Sequence, residues 1–214
     1  MTHPASRTPF SKNYWLWIFI LVFLVIWVNT FLYTNDMNNW IIENMLTFFG
    51  LLFLIGTYKK YPFSIPGYFF LCVFLCLHIY GSKYTYAENP FGYWLQEVLG
   101  GSRNHYDRIV HFAFGFLLAY PLREMWVNWL KFPGRAAWLF PVIWSLSFSA
   151  IYEMIEWAVA DIFFKAQGHA YLGTQGDIWD AQKDTFLAFF GALLATLLIS
   201  MIHKISSTNT KVKT

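Results

Sequence analysis

The stretch from Tyr14 to Tyr33 reads YWLWIFILVFLVIWVNTFLY and contains no charged residue. A helix that crosses a bilayer needs about 20 predominantly apolar residues, and this stretch supplies them. It is too long for the apolar region of a cleaved signal peptide, and it lacks a small-residue cleavage site. The stretch therefore predicts a membrane-spanning helix.

Further apolar stretches follow along the chain. The predicted spanning segments are Tyr14–Tyr33, Trp40–Tyr58, Ile65–Tyr80, Tyr106–Glu124, Ala136–Phe164 and Lys183–His203. The composition agrees, because 57% of the residues are hydrophobic and only 13% are charged, whereas a soluble domain usually carries about 25% charged residues. The predicted fold is all-α, a polytopic integral membrane bundle of six transmembrane helices in contact with the lipid bilayer.

The basic residues predict the orientation of this bundle. Most of the 15 Lys and Arg residues lie at the two ends of the chain and in the loops after the second and fourth segments, and such an excess marks the cytoplasmic side. Both termini are therefore predicted to be cytoplasmic. We expect a single transmembrane domain over residues 1–204 and a disordered cytoplasmic tail over residues 205–214, which are rich in Ser, Thr and Lys. The net charge of +3 is small, and the basic residues flank apolar segments. This pattern argues against a nucleic-acid partner.

The acidic residues are distributed unevenly. All of the 12 Asp and Glu residues except Glu124 fall on the outer side of the predicted membrane or in its outer half. Because a carboxylate near hydrocarbon costs about 3 kcal/mol or more unless it is paired or hydrated, this one-sided collection predicts a functional site.

Helical spacing groups several of these side chains. Asp107 and His111 lie four residues apart at the start of the fourth segment, and Glu153 and Glu156 lie three apart in the fifth, so each pair shares one helical face. The predicted metal ligands are His78, Asp107, His111, Glu153, Glu156 and Asp184. This mixture of oxygen and nitrogen ligands suits a divalent metal such as Zn, Mn or Fe as the cofactor.

A metal-free explanation stays open beside the metal. Arg103, Arg108, Lys165 and Lys183 supply counter-charges for a network of ion pairs and hydrogen bonds. Acidic residues in a first helical turn are also stabilised by the helix dipole. Asp107 and Asp184 can be explained in this way, and Asp180 can be explained as the N-cap of the sixth segment, without any chemistry.

Three classes of function fit the convergence of acids and histidines. The first is a metal-dependent enzyme that acts at the outer leaflet on a lipid head group or a lipid-linked envelope precursor. Its predicted catalytic residues are Glu153, Glu156, Asp177 and Asp180. The second is a proton- or ion-coupled transporter, because intramembrane acids and histidines form proton relays. The third is a non-enzymatic envelope membrane component. The sequence does not decide among them, and it does not predict an oligomeric state.

Three motifs resemble a known family. The segments 107–112 (DRIVHF), 152–157 (YEMIEW) and 171–184 (YLGTQGDIWDAQKD) are similar to the YjdF-type family of bacterial inner-membrane proteins, and the likeness covers nearly the whole chain. It implies a multi-pass protein of the bacterial inner (plasma) membrane, and it implies no reaction. A fainter likeness to VanZ-like membrane proteins lies in the Asp-x-x-x-His helix start, a later acid and an Asp before the last helix. That family is associated with glycopeptide-antibiotic resistance, a role that the likeness does not transfer.

Overall fold

The computed structural model describes residues 9–132, 134, 136–163 and 174–212, and no strand occurs among them. The α-helices are α1 (Tyr14–Leu32), α2 (Met37–Tyr58), α3 (Ile65–Ser82), α4 (Pro90–Leu99), α5 (Tyr106–Glu124), α6 (Ala136–Phe163) and α7 (Asp180–Val212). A 3₁₀ turn (Phe10–Lys12) precedes α1, and a π-helical turn (Met125–Trp129) follows α5. The described part of the chain is therefore all-α, as the sequence predicts.

Five of these helices, α1, α2, α3, α6 and α7, are long and apolar enough to cross a membrane. Helix α5 has 19 residues but carries charged residues near both ends, from Asp107 to Glu124. It packs against α3, α6 and α7, so neighbouring helices cover much of its polar surface. The crossing of the membrane by α5 and the cytoplasmic position of both termini stay predictions.

Large apolar side chains cover the outside of the bundle. On α1, Leu21 is 63% exposed and Val25 is 61% exposed, and Ile55 on α2 is 72% exposed. Soluble monomers rarely expose apolar surface on this scale, and such surface marks contact with a membrane or a partner. The outer faces of α1 and α2 are thus suited to hydrocarbon.

The closest helix packing joins α5 to α7 through two glycines. A β-carbon added at Gly115 would lie only 1.8 Å from the carbonyl oxygen of Ala188, and one added at Gly191 would lie 2.3 Å from the carbonyl oxygen of Phe112. Small residues let helix backbones approach closely in membrane proteins. This approach brings the first turns of α5 and α7, with their acidic side chains, into one place.

Helix α4 lies between the predicted spanning segments Ile65–Tyr80 and Tyr106–Glu124, where the sequence predicts no helix. Asn89 caps its start by accepting hydrogen bonds from the backbone N–H groups of Phe91 and Gly92, and Gly100 ends it in the left-handed conformation with φ 66°. The helix has 10 residues and is only partly apolar, so its sequence does not resemble a spanning segment.

Two helices have bounds that differ from the sequence prediction by three residues or more. Helix α2 begins before Trp40 because Asp36 caps it, its Oδ1 accepting a hydrogen bond from the N–H of Asn39 at 3.1 Å. Helix α7 extends beyond the predicted segment Lys183–His203 at both ends. The division into a domain of residues 1–204 and a disordered tail stays a prediction.

Candidate functional site

The polar side chains gather where α1, α3 and α6 end and α2, α5 and α7 begin, here called the acidic end. Asp107 and His111 come from the first two turns of α5, and Asp180 and Asp184 come from the first two turns of α7. Glu153 of α6 lies beside His111. Three helices therefore bring together residues that lie far apart in the sequence.

Asp107, Asp180 and Asp184 form the aspartate cluster. One carboxylate oxygen from each lies within 4.8 Å of those from the other two. Asp184 is 1% exposed and Asp180 is 7% exposed. The Oδ1 atom of Asp184 is buried without a hydrogen-bond partner among the described residues. Buried polar atoms are normally paired, so the unpaired oxygen makes this cluster a candidate cation site.

Two arginines and one lysine border the cluster. Arg103 pairs with Asp180, at 2.5 Å between Nη2 and Oδ1. Arg108 pairs with Asp177 at 2.5 Å, and Lys183 contacts the same Asp177 oxygen at 2.6 Å. The hydrogen bond from Lys183, together with those from the Trp179 backbone N–H and Arg108, lowers the pKa of Asp177 to about 2. The ion pairs that the sequence predicts are thus present at Asp177 and Asp180.

These basic groups do not reach all of the carboxylates. Among the described residues, no Lys or Arg lies within ion-pairing distance of Asp107, Asp184 or Glu153. Unpaired negative charges held close together in a low-dielectric setting repel each other strongly. Protons or a bound cation must offset them.

His111 connects the aspartate cluster to α6. Its Nε2 lies 3.2 Å from Oε1 of Glu153 and 3.6 Å from Oδ1 of Asp107. Its Nδ1 lies 3.1 Å from the hydroxyl of Ser149. The imidazole is 8% exposed, and these contacts fix its orientation from both sides.

The segments that precede α5 and α7 are hydrogen-bonded to each other. The backbone N–H of Asn104 donates to the side-chain oxygen of Gln175 at 2.8 Å, and the Gln175 side chain donates back to the carbonyl of Asn104 at 3.0 Å. Arg103 also donates to the carbonyl oxygen of Thr174. These bonds hold the starts of the two helices in register and so position the aspartate cluster.

A second polar group, here called the glutamate network, lies between α2, α3 and α6. The Tyr152 hydroxyl donates to Oε2 of Glu43 at 3.0 Å and also interacts with Glu156. His78 uses one ring nitrogen for the carbonyl of Glu43, at 3.1 Å, and the other for the hydroxyl of Tyr86, at 2.5 Å. Burial, reinforced by Glu43 and other nearby acids, raises the pKa of Tyr86 well above its usual value, so its phenol stays a neutral donor.

The predicted site residues divide between these groups. Asp107, Asp180, Asp184, His111 and Glu153 meet at the aspartate cluster or directly beside it. Of the other predicted residues, His78 and Glu156 belong to the glutamate network, and Asp177 pairs with Arg108 and Lys183. Lys165 lies outside the described residues.

The role of His78 differs from the one that its sequence position suggests. Both of its ring nitrogens already contact protein groups, so neither is open to a metal in this conformation. His78 therefore belongs to the glutamate network and not to the aspartate cluster.

Sequence reasoning did not single out Glu43, Tyr86, Ser149 or Tyr152. The sequence could have indicated Glu43, because it is a carboxylate within an otherwise apolar spanning segment and such residues mark functional sites. Tyr152 and Glu43 are 109 positions apart, and nothing in a single sequence pairs them. The tyrosines and the serine resemble many others in this aromatic-rich chain, so only the structure identifies them.

Comparisons with known proteins agree with this architecture. A family model described as predicted membrane protein (DUF2238) matches residues 15–205. The inner membrane protein YjdF of Escherichia coli (strain K12) is 35% identical over 185 residues, which cover 86% of this chain and 88% of that protein. These matches confirm the resemblance to the YjdF-type family. No solved structure matches the chain.

Proposed function

The chain belongs to the DUF2238 family of predicted membrane proteins, and we propose that it is a metal-dependent enzyme whose cation is held by the aspartate cluster. It is a multi-pass protein of the inner membrane. With both termini in the cytoplasm, the acidic end faces the periplasm. Its substrate is a lipid head group or a lipid-linked envelope precursor in the outer leaflet.

The convergence of three carboxylate oxygens within 4.8 Å carries this proposal. Arg103 and Arg108 form ion pairs with Asp180 and Asp177, and neither Asp107 nor Asp184 has a Lys or Arg partner among the described residues. A divalent cation held by these carboxylates would supply the missing positive charge, and Asp184 has an oxygen without a hydrogen bond that could serve as its ligand.

The donor set favours one of the three expected metals. Carboxylate and water ligands suit Mg, Ca and Mn, whereas imidazole ligands suit Zn and Fe. His111 directs its nitrogens to Glu153, Asp107 and Ser149, so the cluster itself offers oxygen only. Manganese is therefore the metal among Zn, Mn and Fe that fits best, and magnesium fits the same ligands.

The chain supplies a proton path beside the cation. A bound divalent metal polarises a phosphoryl or carbonyl oxygen and makes bound water more acidic. Glu153 is within hydrogen-bond distance of His111, and general acid–base catalysis requires that reach between the groups that exchange a proton. We assign Glu153 as the proton acceptor and His111 as the group that orients it. Glu156 belongs to the glutamate network, where it interacts with Tyr152.

The arginines indicate the chemical class of the substrate. Arg103 is 8% exposed, and its Nε atom has no hydrogen-bond partner among the described residues. Arginine binds phosphate and carboxylate oxygens through paired N–H groups. Arg103 and Arg108 thus suit an anionic head group that approaches the aspartate cluster, and Asp177 and Asp180 hold the two guanidinium groups in place.

The experiment that tests this function is lipid turnover in a defined system. Purified protein is reconstituted into vesicles of bacterial polar lipids that contain a lipid-linked diphosphate, and products are followed by mass spectrometry with Mn²⁺ or with a chelator. We expect a product that forms only with the metal and is lost in Glu153→Gln. The absence of any metal-dependent product from these lipids would count against the enzyme.

A second candidate function is proton-coupled transport. The glutamate network extends the polar groups from the acidic end into α2, α3 and α6, and intramembrane carboxylates and histidines form proton pathways. Proton flux into proteoliposomes that is lost in Glu43→Gln, without any lipid product, would favour this reading. If neither flux nor a product is found, a non-enzymatic envelope component is the remaining alternative.

A further inference from the structure

Helix α4 carries two different exposed flanks. Phe91, Trp94 and Val98 are 46%, 54% and 62% exposed, and their spacing of three and four residues places them along one side of the helix. Tyr93 and Glu97 are also exposed and lie four residues apart on another side. The first flank is therefore wholly apolar, whereas the second carries a phenol hydroxyl and a carboxylate.

The third side of α4 is attached to the bundle. Gly92 is buried, and a β-carbon added there would clash with the side chain of Asn104 at 1.6 Å. The Asn104 side chain also donates to the carbonyl of Asn89 at 2.8 Å. The first turn of the helix is thus fixed to the segment that leads into α5, on a side away from the apolar flank.

The position of α4 determines what the apolar flank meets. The helix lies in the chain between Ser82, where α3 ends, and Tyr106, where α5 begins, so it belongs to the level at which the helices leave the membrane. A helix with one strongly apolar face and one polar face lies in the plane of the membrane interface, and tryptophan is enriched there.

We propose that α4 is an interfacial helix that inserts Phe91, Trp94 and Val98 among the lipids of the leaflet at the acidic end. Helix α4 contains no Lys, Arg or His, and Glu97 is its one acidic residue. The insertion therefore depends on apolar burial and not on attraction to charged head groups. Through Gly92 and Asn104, the same contact sets the depth of the segment that carries Arg103. This inference does not depend on the presence of a metal.

Spin labels at four positions test the proposal. In a background with Cys72→Ala and Cys76→Ala, single cysteines replace Trp94, Val98, Tyr93 or Glu97, and each nitroxide-labelled protein is reconstituted into vesicles. Collision with lipid-soluble oxygen is compared with collision with a water-soluble nickel chelate. All four positions are exposed, and monodisperse elution in detergent verifies that each variant is folded.

We expect the ratio of oxygen to nickel collisions to be severalfold higher at positions 94 and 98 than at the matched positions 93 and 97. The pattern should be the same in phosphatidylcholine and in phosphatidylglycerol vesicles. Equal nickel access at all four positions would overturn the proposal, because α4 would then lie in water. Protection of 94 and 98 from both reagents would also overturn it, because protein would then cover the flank. A pattern found only with the anionic lipid would contradict insertion by apolar burial.

Discussion

The Nε2 atom of His111 lies 3.2 Å from Oε1 of Glu153, and this contact joins α5 to α6 beside the aspartate cluster. The opposite ring nitrogen contacts Ser149, one turn before Glu153 on the same face of α6. The histidine is thus held by two side chains from one helix while its own helix supplies Asp107. The pair links the proposed cation site to α6.

Replacement of Glu153 by Gln tests its position outside the ligand set. The amide keeps the size of the side chain but removes its charge and its ability to accept a proton. We expect Mn²⁺ to bind with unchanged stoichiometry and about tenfold lower affinity, the lower end of the loss seen for residues that support metal ligands. Titration calorimetry measures both quantities. Glu97→Gln on the exposed surface of α4 is the control, and complete loss of binding in Glu153→Gln would make Glu153 itself a ligand.

Replacement of Tyr86 by Phe tests the glutamate network. The change removes the donor to Nδ1 of the buried His78, and an unsatisfied buried polar atom costs about 1–3 kcal/mol. Tyr86→Phe should lower the free energy of unfolding by that amount in a denaturant titration followed by circular dichroism. Tyr93→Phe, at a 47% exposed position, should change it little. Equal stability of Tyr86→Phe and the unaltered protein would mean that this hydrogen bond contributes nothing.

Replacement of Gly115 by Ala tests the approach of α5 to α7. The new β-carbon would meet the backbone of Ala188 at 1.8 Å, which only a shift of the whole helix can relieve, and overpacking of this kind costs about 1–3 kcal/mol or more. We expect a lower melting temperature and weaker Mn²⁺ binding. Gly50→Ala on α2, where nothing lies within 4 Å, is the matched control. Unchanged melting and binding in Gly115→Ala would contradict the close packing.

The ion pairs of Asp177 predict a dependence on pH. Its pKa of about 2 lies below the usual value of 3.8 because of Lys183, the Trp179 backbone N–H and Arg108. A carboxyl with a depressed pKa stabilises the folded state above its unfolded pKa and loses that contribution as the pH falls through its folded pKa. The melting temperature of Asp177→Asn should therefore be lower than that of the unaltered protein at pH 7, and the difference should shrink between about pH 4 and pH 2. A difference that grows on acidification would contradict these pairs.

Much of the fold could be predicted from apolar length alone. The bounds of α5 agree with the predicted segment at both ends, and the start of α6 at Ala136 agrees as well. Helix ends that depend on a cap or on a neighbour differ, as at Asp36 and at the start of α7. Helix α4 escaped prediction because its ten residues are too few to span a membrane and are stabilised by Asn104, a contact that the sequence does not reveal.

The sequence predicts which residues contribute to the candidate site, but it does not predict which of them contact one another. Pairs on one helix, such as Asp107 and His111, follow from helical spacing. Contacts between helices do not, and they decide that Glu153 meets His111 whereas Glu156 faces Tyr152. A difference of three positions on α6 thus separates two polar groups. Glu43 and Ser149 enter the site from helices whose relative rotation no pattern in a single sequence specifies.

Binding of Mn²⁺ to the purified protein is the sharpest test of the proposed cation site at the aspartate cluster. After chelator treatment and dialysis, the unaltered protein, Asp184→Asn and Asp36→Asn are titrated with Mn²⁺ in detergent, and the bound metal is measured by elemental analysis. Asp36 caps α2 outside the cluster, and its amide variant keeps the cap, so it controls for the loss of one negative charge. We expect one Mn²⁺ per chain for the unaltered protein and for Asp36→Asn, and none for Asp184→Asn. Failure of the unaltered protein to retain Mn²⁺ or Mg²⁺, or equal binding by Asp184→Asn, would contradict the proposed site.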